Sequence, residues 1–232
     1  MSAFDAIAER LVTCERCPEL RAYCAEVARV KKREYREQTY WGQPVPAFGD
    51  PQARVALVGL APGAHGSNRT GRMFTGDASG VWLFRALHRA GFANQPTQRD
   101  RDDGLRLRDV FITAAMRCAP PQNKPAPEQI RRCAPHLRQD LAALSNLRVI
   151  VGLGAIGTKA AVDALRAAGY AFAQRPVFVH GAAYRATHER ALGLTLLCSY
   201  HPSRQNTNTG VLTEPMFDEI FERARLLAAQ DA

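Results

Sequence analysis

The sequence predicts an α/β fold, a parallel sheet with helices packed on both faces. Three observations lead there. Short, continuously apolar and β-branched runs recur at 54–59, 109–113, 148–153 and 194–199, as strands buried on both faces require. Helical patterns follow at 78–90, 156–168 and 214–229, so the order strand, loop, helix repeats. The segments after the first, second and fourth runs are the most unusual of the chain. Ligands of such sheets sit at the carboxyl ends of the strands, so these three loops should meet at one cleft.

In chain order, residues 3–30 read as helical, interrupted by the turn Cys14-Glu15-Arg16-Cys17-Pro18. The basic run Arg29, Lys31, Lys32, Arg33 and Arg36 is a solvated face, and Gly42 to Pro51 an extended or looped link. In the helix at 78–90, Val81, Phe84, Leu87 and His88 are placed on one face. Pro127 opens a helical turn that Pro135 should interrupt and restart. Residues 176–187 form an excursion or hairpin, and 200–212 a polar loop.

With 232 residues, 46% of them hydrophobic, the chain suits one domain spanning 1–232. No apolar stretch approaches a membrane span. The start MSAFDAIAER has no apolar signal region, so a cytoplasmic protein is expected. The net charge is +9, and residues 60–135 hold twelve Lys/Arg against six Asp/Glu, which leans toward a polyanionic partner. Six cysteines without a secretory signal argue against a disulfide framework.

Gly152-Leu153-Gly154-Ala155-Ile156-Gly157 follows a strand and opens a helix, as a dinucleotide site requires. An NAD-linked oxidoreductase is the alternative it suggests. The acid expected about twenty residues on is missing, Gln174 and Arg175 standing there, which favours a tight turn whose small residues permit close packing.

The first strand-end loop, residues 59–77, has five glycines, which let backbone approach a ligand. Within it Phe74 is either a stacking platform for a planar base or a loop anchor. Asp77 reads as a helix N-cap or as a carboxylate facing the cleft, and the two readings are compatible. In the second loop, prolines stiffen Cys118-Ala119-Pro120-Pro121-Gln122-Asn123-Lys124-Pro125. Asn123 offers a donor and an acceptor to an amide-like base edge, or simply forms the turn. In the third, running from Ser199 to Gly210, nearly every residue can hydrogen-bond, and His201 follows the strand end directly. Cys14, Cys17, Cys118 and Cys133 fit zinc or a [4Fe–4S] cluster, between which spacing does not choose. Either would tie the N-terminal segment 1–40 to the Asn123 loop. Cys24 and Cys198 read as buried small hydrophobes.

Together Gly59-Leu60-Ala61-Pro62-Gly63, Phe74-Thr75-Gly76-Asp77, the Asn123 loop, His201-Pro202-Ser203 and the four ordered cysteines resemble the family 5 (type B) uracil-DNA glycosylases, which contain an iron–sulfur cluster. The resemblance runs from Cys14 to the last helix. It implies a three-layer α/β/α sandwich on a four-stranded parallel sheet, and a mainly structural [4Fe–4S] cluster on Cys14, Cys17, Cys118 and Cys133. It also implies hydrolysis of the N-glycosidic bond of uracil, and of other deaminated bases such as hypoxanthine or xanthine, in DNA. Phe74 would stack on the flipped base, with Gly63 and Ala64 beside it, while Asn123 read its edge. His201 would bond a base carbonyl, and Asp77 would be the catalytic carboxylate. Ser203, Arg204, Gln205 and Asn206 would meet the DNA, at phosphate or in the gap left by the base. The expected protein is a monomer with DNA as its partner and no membrane. No lysine nucleophile is evident at these loops, so hydrolysis without strand cleavage is expected. A cluster-bearing DNA-binding module without activity is a further alternative. Leu60 stands where other uracil-DNA glycosylase families place a polar catalytic residue, which leaves Asp77 the candidate. Met73 replaces an expected proline before Phe74, which should loosen the loop.

Overall fold

The computed structural model describes residues 3–230. The elements are α1 (Ala3–Val12), α2 (Pro18–Val30), β1 (Phe48–Gly49), β2 (Val55–Gly59), α3 (Ser67–Thr70), α4 (Ala78–Arg89), β3 (Val110–Ala114), α5 (Pro127–Ala143), β4 (Val149–Leu153), α6 (Gly154–Ala167), β5 (Ala171–Phe172), β6 (Ala183–Thr187), β7 (Leu194–Ser199), α7 (Arg204–Asn208) and α8 (Glu214–Ala229). One 3₁₀ turn lies at Arg33–Tyr35 and another at Pro121–Asn123.

The four apolar runs form the parallel centre of the sheet, in the order β3-β2-β4-β7. The expected four strands become seven. β1 adds antiparallel to β3 at one edge, and β6 then β5 extend the other edge antiparallel to β7. Thus the 176–187 excursion returns as β6. The additions escaped the sequence because β1 and β5 have two residues each and β6 is mostly exposed. An exposed edge strand lacks the apolar run that announces a central one.

Alternation along the strands builds two cores. Val55 and Leu57, with Val149, Val151 and Leu197, face Leu83, Phe84 and Leu87 of α4 and Phe217, Ile220 and Phe221 of α8. Ala56 and Val58, with Ile150 and Leu196, face Leu137 of α5 and Val162 and Leu165 of α6. Successive side chains of a strand point to opposite faces, so the three layers follow from these runs. Phe4 of α1 reaches the second core, its ring 4.7 Å from that of Phe111.

Three local expectations need correction. The buried face of α4 is Gly80, Leu83, Phe84, Ala86 and Leu87. Val81 is exposed and His88 outside this set, because one face of a helix recurs at three and four residues. Pro135 lies inside α5, which runs through it. The lost N–H removes one backbone bond, while buried Leu137 and Asp140 hold the helix beyond it. The loop 200–212 contains α7, whose N-cap Ser203 accepts from Asn206 N.

The glycines at 152–157 serve packing. A Cβ on Gly157 would collide with Val58 O, and one on Gly152 with Thr158. Gly154 has φ +79° and leads β4 straight into α6, and a Cβ there would stand 3.2 Å from the His201 Cβ. The motif brings α6 against the sheet and leaves space for His201, which is the tight-turn reading.

Candidate active site

In parallel register, β2, β3, β4 and β7 end together, with Gly59 opposite Ala114 and Leu153 opposite Ser199. The loops that follow carry Phe74 and Asp77, Asn123, and His201. The expected convergence is therefore built into the register.

Asp77 caps α4 from an extended backbone, and its Oδ1 accepts the Gly80 N–H at 3.0 Å. The other oxygen lies under the glycine loop. A Cβ on Gly63 would come within 3.2 Å of Oδ2, and one on Gly66 would collide with it. Glycine at 66 thus makes room for the carboxylate. Burial pushes the Asp77 carboxyl up, against the pull of the Gly80 and Ser79 N–H groups and of Arg204 and Arg69.

Phe74 has φ +54° and is nearly buried, packed into the first core. A Cβ on Gly59 would meet its ring at 2.9 Å, so the ring lies across the end of β2. Met73, expected to loosen this segment, is 1% exposed and fills the same core. The Phe74 and His201 rings lie 5.7 Å apart by centroids and 28° from parallel. A base sandwiched between two rings needs about 7 Å, two aromatic contact distances. Nothing planar fits between this pair as the rings stand. Burial lowers the His201 pKa to about 4, so the neutral imidazole offers one N–H to an acceptor.

Asn123 and Gln122 have φ of +57° and +55° in the 3₁₀ turn after β3. Asn123 is exposed; its backbone N–H donates to Pro120 O at 3.1 Å, and its side-chain amide makes no hydrogen bond among the described residues. Two successive non-glycine residues in this region are costly, at about 1–2 kcal/mol each, and such strain collects at functional loops. Of the predicted residues, Asp77 closes against the loop of Gly63, and Phe74 against His201. Asn123 is on the same sheet edge without joining them by contact. Ser203 and Asn206 are tied to each other, the Asn206 Nδ2 also donating to His201 O at 2.9 Å, while Arg204 and Gln205 are exposed.

Sequence reasoning missed the braces of this loop. Gln98 Oε1 accepts Gly76 N–H at 2.5 Å, and its Nε2 donates to Asp77 O at 3.3 Å. Buried Arg69 donates to His65 O at 2.7 Å and to Gly76 O at 3.1 Å. Buried Arg72 holds Asp103 through two bonds of 2.8 Å. No motif marks these partners; only the fold brings them together.

Cys14, Cys17, Cys118 and Cys133 line one pocket with Leu11, Leu20 and Met116. Among the described residues no three His, Cys, Asp or Glu side chains close on a single point. One zinc ion, with Zn–S near 2.3 Å, would need that. Arg21 and Arg117 line the same pocket, and Arg21 Nη1 and Arg117 Nε and Nη1 are buried without an acceptor. Orphaned cationic donors beside four thiols suit a larger anionic group. His136 Nε2 also stands 3.2 Å from Cys14 Sγ. Burial raises the Cys133 thiol to about 11, and a bound metal would favour its thiolate.

Among the described residues no helix is long and apolar enough to cross a membrane. Residues 46–225 match the family described as the uracil DNA glycosylase superfamily. The chain is 50% identical over 225 residues to a type-5 uracil-DNA glycosylase of Thermus thermophilus, covering 97% of this chain and 98% of that one. It is 47% identical to a type-5 enzyme of Mycobacterium bovis (93% and 78% covered) and 45% identical to one of Pyrobaculum aerophilum (95% and 92%). The sheet order, the strand-end loops and these likenesses agree: the chain belongs to the uracil-DNA glycosylase superfamily, on its type-5 branch.

Proposed function

We propose that the chain hydrolyses the N-glycosidic bond of uracil in DNA and leaves an abasic site. The observation that carries this reading is the seat of Asp77. Its carboxylate is fixed by helix N–H groups under a glycine loop, on the strand edge that also carries the Phe74–His201 pair. The two alternatives fare worse. The glycine motif is spent on packing, and a module that only bound DNA would be served as well by an uncharged cap such as Asn in place of a buried carboxylate.

The nucleotide leaves the stack at a cost of a few kcal/mol. Stacking on Phe74 and hydrogen bonds from Asn123 offset that cost, with Gly63 and Ala64 beside the base. The bond from C1′ to the base nitrogen then breaks, and its electron pair leaves with the base. Negative charge grows on a base carbonyl, where the neutral His201 donates its N–H. Positive charge grows on the sugar, where the Asp77 carboxylate stabilises it and orients the attacking water. Water oxygen bonds to C1′, and its proton passes to Asp77 or the departing base. Ser203, Arg204, Gln205 and Asn206 lie beyond His201 and would meet the strand. The same pocket would take hypoxanthine or xanthine, which also present a carbonyl and a ring N–H.

The residues at the cysteine pocket fit a [4Fe–4S] cluster, held by Cys14, Cys17, Cys118 and Cys133. Its contribution there is a cross-link between the N-terminal segment, the Asn123 loop and α5. Chain 1–232 then acts as one cytoplasmic domain, a monomer on DNA.

The test is alkali cleavage of a uracil-containing duplex after single-turnover reaction. Wild type should yield abasic sites, and Asp77→Asn should lose about a hundredfold or more in rate. Borohydride should trap no protein–DNA adduct, although Lys124 is exposed beside Asn123. Full activity in Asp77→Asn would remove the assignment of the carboxylate.

A further inference from the structure

We infer that Gln98 is a positioning residue for the reaction, acting through Asp77; the inference rests on the function proposed above. Its amide spans the turn that bears the carboxylate, taking Gly76 N–H at 2.5 Å and giving a hydrogen bond to Asp77 O at 3.3 Å. Arg69 takes the carbonyl between them at 3.1 Å. The Gly76 N–H and the carbonyls of Gly76 and Asp77 are thus held by two side chains from outside the turn. Gly76 itself has φ +87°, and a Cβ there would collide with Arg69 Nη2. The turn is fixed from both sides and has no room to adjust.

Gln98 is in turn held in place. Asp103 grips Arg72 from below the loop, and both side chains are 4% exposed. The Oδ2 of Asp103 also accepts the N–H of Arg99, the neighbour of Gln98, at 2.7 Å. Asn94 closes the neck of the strap, bonding Gly104 O at 3.0 Å and Arg106 N at 2.7 Å. Residues 94–106 therefore brace the site loop twice, at Arg72 and at the Gly76 N–H and Asp77 carbonyl. A carboxylate that must meet charge on a sugar works only within about 0.5 Å of its place. The helix N-cap fixes one oxygen of Asp77; Gln98 fixes the backbone from which the side chain springs.

Gln98→Ala should lower the single-turnover rate of uracil release about tenfold while the affinity for uracil-DNA stays unchanged. Gln98→Glu keeps an acceptor for Gly76 but sets an anion beside Asp77, so the acid limb of its pH–rate profile should move to higher pH. In an Asp77→Asn background, Gln98→Ala should cost nothing further, since there is no carboxylate left to position. A merely structural role predicts the same proportional loss in both backgrounds, which would overturn the inference. So would a full rate in Gln98→Ala. If Gln98→Ala unfolds, Gln98→Asn, whose amide is one carbon too short to span the turn, takes its place in both backgrounds, and the same proportional loss in the two overturns the inference. Wild type that releases no uracil sinks the proposed function itself, whereas active wild type with slowed Asp77→Asn and fully active Gln98→Ala sinks only this step.

Discussion

The Asp77 carboxylate sits where two requirements conflict. As a helix cap it satisfies the Gly80 N–H, which stabilises the fold. As a buried anion it is desolvated, and burial is the largest influence on its pKa, upward. A group whose folded pKa exceeds its unfolded one contributes stability below the unfolded pKa, and that contribution is lost as pH rises through the folded pKa. Near neutrality the ionised Asp77 therefore costs stability. Asn caps a helix about as well as Asp and carries no charge, so Asp77→Asn should melt at a higher temperature than wild type at pH 7 although it releases uracil about a hundredfold or more slowly. The gain should vanish below about pH 3.9, where an unfolded Asp is also neutral. Thermal melts across that range check it, and an Asp77→Asn protein that melts lower at pH 7 would refute the account. Asp77 was legible in the sequence because caps precede helices and strand ends face clefts. Gln98 was not, since its partner is met only after the chain folds back.

Among the elements, β2, β3, β4 and β7 were legible because burial on both faces demands continuous apolar runs. β6, reading Ala183-Tyr184-Arg185-Ala186-Thr187 with only Ala186 buried, shows no such run. The glycine motif shows the limit of pattern reading from the other side. Gly152, Gly154 and Gly157 satisfy a nucleotide-binding string, yet each is explained by a neighbour: Thr158, His201 and Val58. Gly157 is the sharpest case, because the obstacle is a strand carbonyl, which has nowhere to move. Gly157→Ala should destabilise the fold by about 1–3 kcal/mol, the usual cost of overpacking. Urea unfolding should show the midpoint fall with little change in slope. A midpoint equal to that of wild type would mean that α6 does not rest on β2 as described.

At the scale of the whole molecule, the N-terminal segment meets the rest through attachments of different kinds. One is packing: Phe4 of α1 lies against Phe111 of β3. Another is the cysteine pocket, where the turn before α2 meets the loop after β3 and α5. From there α2 leads to the site loop, since Asn68 Nδ2 donates to Cys24 O at 3.4 Å and Trp41 N to Arg69 O at 2.8 Å. The grouping of the cysteines was legible from spacing; this route to Arg69 was not. A cluster that binds only the folded chain adds its binding free energy to stability. With the proposed cluster in this pocket, wild type should be brown and absorb in the visible, and Cys118→Ser should lose both, melt lower, and be cut first by protease between residues 13 and 47. Its effect on catalysis should be smaller. Phe74, Asp77 and His201 are held by the first core, the α4 N-terminus and Gly154, none of which depends on the cysteines. Uracil release by the folded fraction of Cys118→Ser should thus slow without ceasing. Abolished release in protein that still melts cooperatively would place the pocket inside the chemistry rather than beneath it.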